Sequence, residues 1–314
     1  ALDRRLASYL QGYCFELSPG ELARVLLAGI TKEEIFSGAR HIRSVCLKMM
    51  GNQDFVIRPL PNSYFQRDPY TLVNSLVLMS AMHYEIRKRE ALYCKYVLAH
   101  HDLFREGRIL WGGEPGDTCS YTVEGGDILV LSESVVAMGI GERTTPATIQ
   151  ILGGRLAEYG GIRTVMAVEI PKTRSTTHLD TVFSMVDRNT FVMYPGIGES
   201  TRVLALSYDE RGNLLHIREK QGLREALREL LHLDSLKVVE TGGGDPTRAS
   251  REQWNDATNC LALAPGKVVT YNRNTSSNET LREQGLRVLE ISGKELGRGR
   301  GGPRCMANPL FREG

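Results

Sequence analysis

One outline recurs three times along this chain and restricts its fold more than any single stretch does. It is a strand, a tight turn, a second strand, a near-terminal arginine and then a helix. The first copy covers residues 72–87 and a helix from Lys88; the second covers 128–143, with Thr144-Thr145-Pro146-Ala147 opening its helix. The third covers 261–273, with Thr275-Ser276-Ser277-Asn278-Glu279 opening its helix. Asp68 stands nineteen residues before Arg87, and Glu124 nineteen before Arg143. A fourth strand-rich stretch, 177–195, carries His178-Leu179-Asp180. Such a unit cannot bury its own apolar face, so repeated units stack or close on one another. Radial closure would bring the unit starts to one centre. Chance similarity of short αβ segments is the competing explanation. A sandwich fits poorly because helices recur throughout. A doubly wound fold would need a phosphate loop, and no glycine run gives GxGxxG between a strand and a helix.

Residues 1–55 have a different texture and read as helical. Leu2, Leu6, Tyr9 and Leu10 recur at helical spacing, and Leu22, Val25, Leu26 and Leu27 continue an apolar face. Ser18-Pro19-Gly20-Glu21 and Thr31-Lys32-Glu33-Glu34 both have the form of a capping box. The chain begins inside this pattern, at Ala1, so it is expected to be a piece of something longer.

Charge and composition exclude several classes of function. The chain has 39 basic and 37 acidic residues, a formal charge of +2, and no polybasic block, so nothing points to nucleic acid or a membrane surface. The longest apolar runs, 72–82 and 128–140, fall short of the roughly 20 residues a transmembrane helix needs. No signal-peptide pattern opens the chain, and the cytoplasm is the expected compartment. Cysteines at 14, 46, 94, 119, 260 and 305 form no CxxC pair and no His/Cys cluster, so no metal is expected.

The candidate chemistry lies at the starts of the repeats. Asp68 precedes Pro69, which holds it extended at a strand edge where its carboxylate projects; an ordinary Asp-Pro turn is the bland alternative. Glu124-Gly125-Gly126-Asp127 flanks a glycine pair with two acids, as a bulge or close approach, or as a hairpin turn with solvated acids. His178 and Asp180, at i and i+2 of a β-branched stretch, would share one strand face. Histidine suits proton transfer near neutral pH, although a lone histidine in a strand is more often structural.

Far downstream, Gly297-Arg298-Gly299-Arg300-Gly301-Gly302-Pro303-Arg304-Cys305-Met306 leads glycines and arginines into one cysteine. Arginines beside a thiol favour the thiolate, the nucleophilic form. A frayed basic tail is the alternative. Acids grouped without metal-ligand spacing suit a cationic substrate, and a planar guanidinium takes two-pronged carboxylate contacts. Arginines on the other side suit a carboxylate. A molecule with both ends is arginine.

The motifs Pro61-Asn62-Ser63-Tyr64-Phe65-Gln66-Arg67-Asp68-Pro69, Glu124-Gly125-Gly126-Asp127, Gly141-Glu142-Arg143-Thr144, His178-Leu179-Asp180, Arg251-Glu252-Gln253-Trp254 and the Cys305 lead-in run in one order from about residue 55 onward. In these the chain resembles the arginine deiminases, of the guanidine-modifying superfamily. The resemblance implies an α/β fold, a pentein-type α/β-propeller of repeated strand-strand-helix units. Residues 56–314 would be that catalytic domain, lacking its first unit, and residues 1–55 the remainder of an inserted helical domain. Where Ala307-Asn308-Pro309 stands, the family usually has a small polar residue and a cysteine.

The resemblance also implies roles. Cys305 would attack the guanidinium carbon, His178 would protonate departing ammonia and later activate water, and Glu124 would orient His178. Asp68 and Asp180 would grip the guanidinium nitrogens. Asn62, Phe65, Arg87, Asp127, Arg143 and Arg300 would surround the rest of the substrate and bind its α-carboxylate, with Arg300 on a mobile gate. Arg298 and Arg304 receive no role. The products would be citrulline and ammonia, with no cofactor or metal, from a homo-oligomer whose partner is the small molecule L-arginine. The alternatives are another deiminase, an amidinotransferase, a non-catalytic remnant, or, least in keeping with the grouped acids, a papain-like protease.

Overall fold

Hydroxyl residues followed three positions on by glutamate open helices in the first part of the chain, as their spacing predicts. Ser18 caps α2 (Pro19–Ala28) after α1 (Arg4–Glu16), and the Glu21 carboxylate accepts the Ser18 N–H at 3.0 Å. Thr31 and Glu34 repeat the device at α3 (Lys32–Phe36), with Glu34 accepting the Thr31 N–H at 2.8 Å. The computed structural model describes residues 4–36, 43–104, 108–111, 121–197 and 201–312; Cys119 lies outside them. Two compact units divide the chain, residues 1–63 and 64–314. In the first, α4 (Val45–Met49) completes the helices, and Leu6, Leu10, Val25, Ile35 and Leu47 form their core. A two-stranded antiparallel ribbon, β1 (Ile30–Thr31) with β2 (Phe55–Ile57), interrupts the all-helical reading of residues 1–55. Leu27, read as part of the apolar face, is exposed.

The second unit holds four versions of one motif: an antiparallel strand pair, a helical connection, and a third strand parallel to the second. The first is β3 (Tyr70–Val73), β4 (Leu76–Met79), α5 (Lys88–His100) and β5 (Arg108–Trp111). Asn74 takes φ +52° in its two-residue turn, the left-handed conformation such hairpins need. The second is β6 (Ile128–Val130), β7 (Val135–Ile140), α6 (Pro146–Gly160) and β8 (Thr164–Glu169). Thr145 caps α6 with Pro146 in its first turn.

The third motif is split. Its strand pair, β9 (Phe183–Met185) and β10 (Thr190–Met193), meets its parallel partner only after an inserted hairpin, β11 (Val203–Tyr208) and β12 (Leu214–Lys220). Helix α7 (Leu223–Leu230) then leads to β13 (Lys237–Glu240). The insert joins the second motif's sheet, in the order β12-β11-β8-β7-β6. The fourth motif follows α8 (Pro246–Gln253): β14 (Leu261–Ala264), β15 (Lys267–Tyr271), α9 (Thr275–Glu283) and β16 (Arg287–Ile291), with a short α10 (Pro303–Met306) after it.

Side chains from sheets and helices close the cores between them. Met138, Ala167, Ile149, Leu152 and Leu156 seal one; Phe183, Phe191, Val168 and Leu227 seal another. Among the described residues, no helix is long and apolar enough to cross a membrane. In each motif a polar segment sits immediately before the first strand: Asp68, then 124–127, then 178–181, then 256–259.

Candidate active site

The first two polar segments are joined backbone to backbone. The Gly125 N–H donates to the Asp68 carbonyl at 3.0 Å, and Val123 bridges to Ala81. Residues Gly125–Asp127 then make one 3₁₀ turn instead of a hairpin. Gly126 passes against the His178 ring so closely that a Cβ there would lie 2.7 Å from ring atoms. His178-Leu179-Asp180 is likewise a turn and not a strand, since Leu179–Thr181 is 3₁₀ and the Thr181 hydroxyl donates to the His178 carbonyl at 2.6 Å. The alternation that would put His178 and Asp180 on one strand face therefore does not operate. The turn instead hands the two side chains to different neighbours.

His178 Nε2 meets Glu124 Oε2 at 2.8 Å, and its Nδ1 lies 3.8 Å from Asp68 Oδ1. Burial works against a charged imidazole here, but Asp68, the Glu124 hydrogen bond and Asp127 outweigh it and raise the His178 pKa to about 10. Glu124 is fully buried yet ionised; the His178 hydrogen bond and charge, with Arg143 and Arg87, overcome desolvation and hold it at about 2. Its Oε1 accepts the His83 N–H at 2.9 Å, and its Oε2 also takes Arg143 Nη1 at 3.1 Å.

The nineteen-residue spacing is an ion-pair spacing in both repeats. Arg87 Nη1 lies 2.8 Å from Asp68 Oδ2, as Arg143 lies against Glu124. Arg87 also binds Glu90 through Nη2 at 2.8 Å. The Arg143 guanidinium stacks over Tyr84 at 4.3 Å. Asp127 accepts the Thr144 hydroxyl at 2.6 Å and the Leu179 N–H at 2.8 Å, so it holds the turn that carries His178; burial raises its pKa to about 7.

Cys305 comes to this group from the far end of the chain, in the short helix α10. Its sulfur is 3.7 and 3.9 Å from the Asp180 oxygens, and Arg304 Nη1 is 2.5 Å from Asp180 Oδ2. The thiol is buried, and burial, Asp180, Asp68 and Asp256 together push its pKa well above the usual thiol value against the pull of Arg304. Neighbouring arginines alone would have pulled the other way; burial, with the acids, decides. With its pKa above that usual value, the thiol is protonated at neutral pH. Iodoacetamide is therefore expected to alkylate Cys305 slowly at neutral pH, with the rate still climbing above pH 9. A plateau reached below pH 8 would contradict this.

The other arginines of the lead-in separate. Arg298 pairs with Glu295 at 2.8 Å on the surface. Arg300, at φ +64°, stacks on Trp254 at 4.1 Å, and its buried Nε has no hydrogen-bond partner among the described residues. Phe65 is buried beneath the glycines, against Gly301 and Tyr64. Asn62 belongs to the first unit.

Several supporting residues have no role assigned to them by the sequence reading. Gln253 donates to the Ser175 and Thr181 carbonyls at 2.6 and 2.8 Å and so braces the His178 turn. Glu252 accepts the Ser276 and Ser277 N–H groups at 2.8 and 2.9 Å, at the start of α9. Asn308 donates to the Tyr70 carbonyl at 2.6 Å, which gives the departure after Cys305 a packing role. Asn259 and Asp256 stand before β14 as Asp68 stands before β3, and only that register could have picked them out.

Asp68, Glu124 and His178 bring donor atoms within 4.8 Å of one another, a spacing that could hold a cation. A protonated imidazole is a poor ligand, and Glu124 is already bound to it and to Arg143. A separate cavity of about 710 Å³ lies along α7, lined by residues such as Met193, Leu223, Arg228 and Glu240; none of the cluster around Cys305 lines it.

Comparisons with known proteins bear on kinship and fold. A family model described as arginine deiminase matches residues 6–312. Arginine deiminases of Staphylococcus aureus strains JH9 and Newman are each 39% identical over 303 residues, which covers 95% of this chain and 72% of theirs. Among solved structures, the product-bound N-terminal domain of ArgZ, a cyanobacterial arginine dihydrolase, superposes with TM-score 0.56 at 16% identity, covering 81% of this chain and 79% of that one. A Pseudomonas aeruginosa DDAH complexed with citrulline gives 0.54 at 16%, covering 80% and 78%. AgrE with ornithine and NAD+ gives 0.57 at 17%, where 82% of this chain spans only 32% of that protein. At these identities the structural likeness speaks to the mixed α/β fold. The sequence matches speak to kinship: the chain belongs to the arginine deiminase family.

Proposed function

We propose that this chain hydrolyses L-arginine to L-citrulline and ammonia through a covalent intermediate on Cys305. Family membership supports the reaction, and the observation that carries the residue assignment is the buried Cys305 sulfur 3.7 Å from Asp180, within the electrostatic reach of Asp68. The reading takes the four motifs as units of a pentein-type propeller, with their polar starts around the substrate.

Arginine enters as a cation, and its guanidinium settles between Asp68 and Asp180. Its charge offsets the acids that hold the thiol protonated, so substrate binding lowers the thiol pKa and releases the proton. The thiolate attacks the guanidinium carbon and forms the C–S bond. Imidazolium His178 gives its proton to the departing amino group, ammonia leaves, and a positively charged S-alkylthiouronium remains. Neutral His178 then takes a proton from water as its oxygen adds to the same carbon. Collapse breaks the C–S bond, the oxygen-bound proton is lost, and citrulline and free Cys305 result. Glu124 keeps the imidazole oriented and protonated between turns of this cycle.

For the α-carboxylate, the reading favours Arg300 together with Arg143. Arg143 spends one Nη1 contact on Glu124, and its Nε has no hydrogen-bond partner among the described residues. Arg87, bound to Asp68 and Glu90, supports the pocket. Phe65 would flank the aliphatic part, and Asp127 would act by holding the His178 turn. Contact by Asn62 rests on the family resemblance. A cytoplasmic location and a homo-oligomeric assembly complete the proposal; light scattering tests the latter.

The purified chain is expected to form citrulline from arginine and none from agmatine, which lacks the carboxylate. Adding glycine separates the amidinotransferase alternative: guanidinoacetate in place of citrulline would overturn hydrolysis as the reaction.

A further inference from the structure

The Cys305 peptide is held from two sides. Its carbonyl accepts the Arg67 N–H at 3.0 Å, which ties it to the segment carrying Asp68. Its own N–H donates to Asn259 Oδ1 at 2.9 Å. The other end of the same amide, Asn259 Nδ2, donates to the Asp180 carbonyl at 3.0 Å. The Asn259 backbone carbonyl also accepts the Arg304 N–H at 3.3 Å. One fully buried side chain thus bridges the segment of the sulfur and the segment of the acid.

That bridge needs an acceptor and a donor on one short planar group, which asparagine supplies and leucine does not. The chain is also pressed onto it: a Cβ at Gly302 would lie 2.7 Å from Asn259 Cβ and 2.8 Å from its carbonyl oxygen. Arg304 cannot replace the bridge. It reaches only the Asp180 carboxylate, from the sulfur's own segment, and leaves both backbones unlinked.

We propose that Asn259 is a positioning residue of this active site, setting the distance and orientation between the Cys305 sulfur and the Asp180 carboxylate. The proposal rests on Cys305 acting as the nucleophile. A guanidinium gripped by Asp180 has to present its carbon to the sulfur, and misplacement by about 1 Å lowers the rate by about 10²-fold. Asn259 touches no reacting atom, so its effect falls on the chemical step and not on arginine capture.

The test uses the full chain with Asn259→Leu, which keeps the volume and removes both hydrogen bonds, and Asn259→Asp. Folded molecules are isolated by gel filtration, and kcat is expressed per thiol of that folded fraction, so misfolded molecules drop out. Asn259→Leu is expected to lose about 10²-fold in kcat with KM within about 3-fold. Asn259→Asp regains the missing donor when its carboxyl is protonated, so its kcat relative to the unsubstituted chain should rise as pH falls from about 8 to about 5. A role in stability alone predicts unchanged kcat per thiol and no such pH trend. Either result, or a loss confined to KM, overturns the proposal. Should the unsubstituted chain form no citrulline, the activity reading fails by itself. The pH profile of Cys305 alkylation then decides the role of Asn259: a profile shifted in both variants supports it, and an unchanged one overturns it.

Discussion

Cys305→Ala forms no detectable citrulline: turnover falls by about 10⁵-fold or more, while arginine still binds. The guanidinium carbon is resonance-stabilised, and without the sulfur its hydrolysis has to proceed by direct attack of water. Removing the nucleophile from an enzyme whose groups act as a unit lowers kcat by up to about 10⁶-fold. Binding should survive, because the acids expected to hold the cation, Asp68 and Asp180, are untouched, as is Arg300. Calorimetry should therefore give a Kd within about tenfold of the KM of the active chain. Residual turnover above about 1% would remove Cys305 from the role of nucleophile.

Glu124→Gln is expected to damage stability and rate together. The Glu124 carboxylate is fully buried, with His178 at 2.8 Å, Arg143 at 3.1 Å and Arg87 at 3.9 Å. A neutral amide removes the shared counter-charge of His178 and Arg143 and leaves Asp68 and Glu90 to hold Arg87, at a loss of about 3–5 kcal/mol at neutral pH. The rate should fall by about 10²–10⁴-fold as His178 loses its orientation and its proton.

The pH dependence separates this from simple misfolding. The folded-state pKa of Glu124 is depressed to about 2 from 4.5, so its contribution is present above pH 4.5 and is lost as pH falls toward 2. The His178 pKa is raised to about 10 from 6.5, so its contribution is present below pH 6.5 and is lost as pH rises through 10. Urea titrations should show stability declining from pH 6.5 to 10 in the unsubstituted chain, and a much flatter profile in Glu124→Gln. Parallel profiles would mean that the two groups are not coupled.

Much of this was legible before any coordinates. The repeats were visible because each strand pair and its helix are contiguous, and the nineteen-residue spacing of acid and arginine was a real contact measured along the chain. The third motif was only partly visible because the β11–β12 hairpin separates β10 from its partner β13 and extends a neighbouring sheet. His178 and Asp180 were found for their chemistry but placed on a strand; local hydroxyl and backbone bonds won over β-propensity there. Asn259 carries no titratable group, and its bond to Cys305 spans 46 residues, so pattern could not reach it. The thiol's reluctance to ionise depends on burial and on acids distant in sequence, which neighbouring arginines could not reveal.

The separations within the site have a consequence for how it forms. Glu124 and His178 are 54 residues apart, Asp180 and Cys305 125, and Arg67 meets Arg304 across 237. Closing such loops is entropically slow, and contacts of this range accumulate late in folding. Each motif can gain its helix and strand pair early, yet none of them owns the chemistry. A partially folded chain holds a thiol, an imidazole and several acids as strangers to one another. Catalytic competence is therefore expected to return after the secondary structure on refolding, an order that citrulline formation followed beside far-UV circular dichroism checks.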